Sequence, residues 1–354
     1  MIFNKQHLWA WLLTMAISPL HANAEPAPPA NYFAQSKKPL TIVVPRGKGG
    51  GSHQVSKQIA TELKKIIGVP VQLVNRPEKD GVEAIEYVMT QPATGYIILQ
   101  HVDDIASTYV KGDHPYHPTK DLTPVAITQI TFSQVYVRNI EQRFNDWQSF
   151  VTYTKANPKQ IKIALVGHAG SMESLFLDML TAAHQLETTT ETYNNPDERY
   201  LSLVEGKTDA VIEQPGDVRP FLDRKLIKPI LTLLPEKVAA FPDVASLADV
   251  PGKFPSLYRA RLFLAPSKTP PERLAYLEWA FKKAFDTKEF QKFNEQKYMN
   301  LVNSYRNIET GTQFLNEMIS TYQELAAKPA KTTAEAQPEA KPKAKAPKTE
   351  AKPK

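Results

Sequence analysis

Between residues 40 and 325, short aliphatic runs alternate with segments whose apolar residues recur every three or four positions, a pattern that restricts the chain to an α/β design. Residues 40–44 read as a strand. Residues 52–67 place Val55, Ile59, Leu63 and Ile66 on one helical stripe, and 69–74 read as a second strand. With a helix over 83–89 and a strand over 96–99, the chain opens as β-α-β-α-β. That order predicts a parallel sheet with right-handed connections and ligands beyond the carboxyl ends of its strands. A second set follows Pro124: a long strand over 125–137, a helix over 147–156, a strand over 161–166 and helices over 172–184 and 200–205. Strands over 210–213 and 229–234 complete it. A strand over 261–265 and amphipathic helices over 271–285 and 312–325 then return the chain to the first set. The expectation is a bilobed clamshell, with residues 39–124 plus 259–325 in lobe 1 and 125–258 in lobe 2.

The ends of the chain differ from this body. Lys5 precedes an apolar run over 8–17, and Ala22-Asn23-Ala24 fits the small-x-small rule for cleavage, so residues 1–24 read as a signal peptide removed near Ala24. The run is well short of the roughly 20 residues a membrane span needs. The expected location is therefore the periplasm. Residues 25–38, rich in Pro and Ala, read as a flexible spacer, and 326–354, built of Lys, Ala, Pro, Glu and Thr, as a disordered tail. The tail carries eight lysines against three glutamates, which with Lys5 accounts for the formal charge of +6 and leaves the body about neutral. A nucleic-acid partner is not indicated. With no cysteine in 354 residues, disulfides, thiolate metal sites and a cysteine nucleophile are excluded.

Several motifs along the body resemble those of the substrate-binding proteins of tripartite tricarboxylate transporters, the Bug-type periplasmic receptors. Val44-Pro45-Arg46-Gly47-Lys48-Gly49-Gly50-Gly51-Ser52-His53 is similar to the family's Val-Pro-x-x-Pro-Gly-Gly-x-x-Asp opening, and Asn75-Arg76-Pro77 matches its Asn-Arg-Pro turn. Gly95-Tyr96 and the run from Tyr116 to Val125 match two further signatures. Gly170-Ser171, Gly206-Lys207-Thr208-Asp209-Ala210, Phe241-Pro242-Asp243-Val244 and Thr269-Pro270-Pro271 follow in family order. The resemblance implies an α/β, two-lobed, periplasmic-binding-protein-like flytrap fold of mostly parallel sheets flanked by helices. It also implies a small carboxylate ligand and integral-membrane transporter subunits as partners.

Read from the residues, Gly49, Gly50 and Gly51 lie at a strand-to-helix turn where glycine permits close approach of a ligand and the helix start, with Ser52 and His53, presents free N–H groups to an anion. The Gly-Lys-Ser/Thr order of a phosphate-binding loop is absent. Gly170, Ser171 and Met172 open a second helix with Ser171 as its N-cap. By resemblance, these two loops grip the ligand's proximal carboxylate, partly through water. His53 stands where the family has Asp, Lys48 replaces a Pro and Arg46 an aromatic residue. All three make the mouth of the site more positive and favour a di- or tricarboxylate or an aromatic acid over an amino acid. Asp103 and Glu213, at the ends of strands, are candidate lining residues. His101 and His168 lie near these loops without a metal-ligand spacing. No metal or cofactor is expected, and the chain should act as a monomer. Two alternatives stay open: a ligand receptor for a sensor kinase, and a serine hydrolase built on Ser171. The latter lacks a Gly-x-Ser-x-Gly elbow, so no catalytic residue is assigned and the chain is not expected to be an enzyme.

Overall fold

The computed structural model describes residues 28–165, 170–193 and 195–327. The expected signal peptide over 1–24, His168 and nearly all of the expected tail lie outside the described residues.

The chain begins with helix α1 (Tyr32–Ser36) and strand β1 (Leu40–Val44). There follow α2 (Gly51–Ile67), β2 (Val71–Asn75), α3 (Val82–Thr90), β3 (Ile97–Val102), α4 (Asp104–Lys111) and β4 (Leu122–Thr131). Next come β5 (Gln134–Arg138), α5 (Trp147–Ala156), β6 (Lys162–Leu165), α6 (Met172–His184), β7 (Thr189–Thr192), α7 (Pro196–Val204), β8 (Ala210–Glu213), α8 (Arg219–Asp223), β9 (Ile227–Thr232) and β10 (Ala245–Ser246). The return is β11 (Arg259–Pro266), α9 (Pro271–Phe285), α10 (Lys288–Gln296) and α11 (Ile308–Ala327). Two sheets result, ordered β2-β1-β3-β11-β4 and β10-β9-β5-β8-β6-β7. Each is parallel but for one strand: β11 runs antiparallel to β3 and β4, and β5 antiparallel to β8 and β9. Those two are the strands on which the chain arrives from the other sheet.

Burial on both faces explains the continuous aliphatic strands. In β1, Leu40, Ile42 and Val44 meet Val55, Ile59 and Leu63 of α2 and Phe281 of α9, while Val43 faces Ile85 and Val88 of α3. The same two-residue alternation continues on β11, where Phe263 and Ala265 point to the α2 side and Ala260, Leu262 and Leu264 to the α3 side. Helix α2 ends as its composition suggests, at Gly68 in the left-handed region with its N–H on the Lys64 carbonyl.

Three expectations change. The single strand expected over 125–137 is β4 and β5, in different sheets, so the chain crosses at Phe132-Ser133 and residues 125–131 belong to the first sheet. The run is buried almost throughout, so no break in hydrophobicity marks the crossing. The spacer expected over 25–38 contains α1, capped by Asn31. Phe33 is fully buried against Tyr276 and Tyr96, and the Tyr32 hydroxyl donates to the Gly95 carbonyl at 2.8 Å. Burying one such ring contributes about 2–3 kcal/mol, enough to fix a short segment that Pro and Ala would leave free. Finally, α11 serves both sheets: Leu315 packs in the first core, and Met318, Ile319 and Tyr322 pack in the second beside Phe176 and Val135. Among the described residues no helix is long and apolar enough to cross a membrane.

Candidate ligand site

The strand ends of the first sheet converge on the turn between β1 and α2. The Asn75 side chain donates to the Arg46 carbonyl at 2.7 Å, and the Arg76 N–H donates to the Val44 carbonyl at 2.8 Å, so the Asn-Arg-Pro turn holds the start of the loop. Gly49 has φ 91°, and Gly50 takes the N-cap position of α2 with no side-chain cap. The N-cap residue therefore offers no side-chain acceptor to the first-turn N–H groups of this 17-residue helix, where its macrodipole favours an anion. A Cβ on Gly50 would meet nothing closer than 3.9 Å, so the approach to these groups is open. Ser52 is buried, and the buried Nδ1 of the partly exposed His53 has no hydrogen-bond partner.

The second loop enters α6. Gly170 has φ 87°, and the Ser171 hydroxyl accepts from the Ser174 N–H at 3.4 Å, the capping role expected of it. Met172 was expected at the ligand, but its side chain is fully buried in the second core. Only its backbone stands at the helix start.

A chain of ion pairs, buried except at Arg46, joins the two loops. Arg46 Nη2 donates to Asp104 Oδ2 at 2.6 Å, and Arg259 Nη1 donates to Asp104 Oδ1 at 3.1 Å and Asp103 Oδ1 at 2.8 Å. The other nitrogen of Arg259, Nη2, reaches Glu173 in the first turn of α6 at 2.7 and 2.8 Å. Glu173 also accepts from Gln214 at 3.1 Å. Asp103, expected to line the site, is instead a fully buried member of this network. Burial pushes its carboxyl up to about 7 against the pull of Arg259. Arg46, expected to add charge to the mouth, is neutralised by Asp104, while Lys48 stays exposed. His101 is buried with Nδ1 on the Val102 carbonyl at 3.1 Å, and burial lowers its pKa to about 4, so it is neutral.

Glu213 is also turned away from a ligand role. Its Oε2 accepts from Arg199 and, at 2.7 Å, from the Tyr200 hydroxyl, while Oε1 takes the Gln214 N–H at 2.8 Å. The carboxylate is consumed by α7 of its own sheet. Just beyond it, Asp217 pairs with Arg261 of β11 at 2.9 Å, and Gln129, the cross-strand partner of Arg261, accepts from that arginine at 3.1 Å. Sequence reasoning missed Glu173, Asp217, Arg259 and Arg261. The available signal was the pair of arginines at alternate positions in an otherwise apolar strand, which only a buried acid partner could accommodate.

Comparison with known proteins identifies the fold and the family. The UPF0065 protein in the gbd 5′ region of Cupriavidus necator is 25% identical over 313 residues, spanning 87% of this chain and 90% of that protein. The fold is shared with MatC (Rpa3494) from Rhodopseudomonas palustris with bound malate, at a TM-score of 0.70 and 22% identity over 81% of this chain and 98% of that one. R. palustris Rpa4515 with adipate superposes at a TM-score of 0.72 and 20% identity over 82% and 96%. Residues 55–328 match the profile of the tripartite tricarboxylate transporter family receptor, and the chain belongs to this family of periplasmic solute-binding proteins, which are receptors and not enzymes.

Proposed function

We propose that the chain, exported and cleaved near Ala24, captures a small di- or tricarboxylate or an aromatic acid in preference to an amino acid. The ligand would lie between the β1–α2 loop and the start of α6, for delivery to the integral-membrane subunits of a tripartite transporter. The observation that carries this reading is the uncapped, glycine-built start of α2, an anion site made of backbone N–H groups. The dicarboxylates bound by MatC and Rpa4515 support the ligand class, since both proteins share the fold.

Thermal unfolding in the presence of mono-, di- and tricarboxylates, aromatic acids and amino acids tests it. A carboxylate at a hundred times its dissociation constant stabilises the fold by about 2.7 kcal/mol. Gly50→Val fills the open approach, keeps a β-region φ of −68° and is expected to abolish that shift while costing about 1 kcal/mol of ligand-free stability through the poorer N-cap. Silence from the whole panel with ligand-free, folded protein would refute the carboxylate reading.

A further inference from the structure

The start of α2 is met by a charged group from each sheet. Strand register turns Arg261, like Phe263, to the α2 side of the first sheet, where it is 3% exposed with its Nε unpartnered. A Cβ on Gly51 would overlap Arg261 Nη2 and come within 3.0 Å of Asp217 Oδ2, so the pair lies directly against the first residue of the helix. Lys297 is within electrostatic range of both Asp217 and Arg261, which gathers two cations and a helix N-terminus about one carboxylate. That carboxylate comes from the second sheet, on a segment that touches the first at two other points. Gly216 lies against the Lys297 carbonyl, and Arg219 donates to the Glu295 and Gln296 carbonyls at 3.0 and 2.8 Å.

We infer that Arg261 and the start of α2 form one composite carboxylate site, and that Asp217 occupies it as an internal stand-in that the ligand's carboxylate displaces. The inference rests on the carboxylate reading above and adds a specificity residue to it. Asp217 is the side chain of the cluster suited to leaving: its carboxylate is partly exposed, while Arg261 is enclosed by Gln129 and Met299. Occupancy by Asp217 lowers the apparent affinity for ligand by the fraction of time the site is free. Removing the charge of Asp217 also leaves a buried guanidinium at the positive end of a helix, a cost that an incoming anion relieves.

The test is isothermal titration of the full mature chain with succinate and with adipate, for the wild type and for Asp217→Asn, Arg261→Gln and Arg261→Lys. The amide that Asp217→Asn introduces can still accept from Arg261, so folding is retained. Expected are a tenfold or greater gain in affinity for Asp217→Asn, a tenfold or greater loss for Arg261→Gln with partial recovery in Arg261→Lys, and no gain when Asp217→Asn is added to Arg261→Gln. If the wild type binds and Asp217→Asn binds equally or more weakly, the stand-in is refuted while the carboxylate reading survives. If neither the wild type nor Asp217→Asn binds either acid, the composite site is refuted, and a silent wider panel refutes the carboxylate reading as well. Binding by Asp217→Asn alone would be the strongest support.

Discussion

Replacing Arg259 by Met keeps the bulk of the side chain and removes the one cation that Asp103, Asp104 and Glu173 share. Arg46 still holds Asp104, so two fully buried carboxylates lose their counter-charge. Breaking a buried ion pair from one side costs about 3–5 kcal/mol. Protonation sets an upper limit of similar size, since neutralising a carboxylate of ordinary pKa at pH 7.5 costs roughly 4–5 kcal/mol. Asp103, already pushed up to about 7 by burial, takes its proton for much less. The expected loss is therefore about 4 kcal/mol at pH 7.5. It should shrink on acidification, because the folded variant, having lost the cation that favours the ionised carboxylates, binds more protons than the folded wild type, so the gap between the two narrows as pH falls. Urea unfolding followed by tryptophan fluorescence, with wild type and variant compared at pH 7.5 and 5.0, measures both quantities. A loss below about 1 kcal/mol at pH 7.5, or one that grows at pH 5.0, would refute the network as a shared-charge structure.

Two further outcomes follow from the same geometry. His101 has its pKa lowered to about 4 by burial, so the unfolded chain takes up the proton first as pH falls below about 6.5. The wild type should lose about 3 kcal/mol relative to His101→Gln between pH 7 and pH 4, and a pH-independent difference in urea midpoints would show that His101 is not held neutral. Glu213→Gln should strand Arg199 and cost about 2–3 kcal/mol in stability with ligand affinity unchanged within twofold, whereas a large affinity change by titration calorimetry would return Glu213 to the ligand site.

The α/β design, the stripe on α2 and the cap at Ser171 were legible because each depends on residues within one or two turns of one another. The crossing at Phe132-Ser133 was not, since both sides of it are buried and the apolar run is unbroken. Helix α1 was hidden for the opposite reason: two aromatics in a Pro- and Ala-rich stretch dock on Tyr96 and Tyr276, far along the chain. For the site, the glycines of the first loop could be read as an anion cradle, but the fate of Asp103, Glu213 and Arg46 depended on arginines and acids 14 to 156 residues away.

What could not be read locally is concentrated on β11. Arg259 and Arg261 are two residues apart and so project to the same face of the strand. Each takes an acid from the other sheet, Glu173 at the start of α6 and Asp217 beside the start of α2. The strand on which the chain returns thus couples the two sheets electrostatically at both helix N-termini that frame the proposed ligand site. Because the pairing period is two, a one-residue slip in β11 would turn both arginines to the α3 side and leave both acids unpaired at once. Register in this strand is therefore specified by charge as well as by its apolar residues. Any ligand anion arriving at the start of α2 enters a field that β11 has already set.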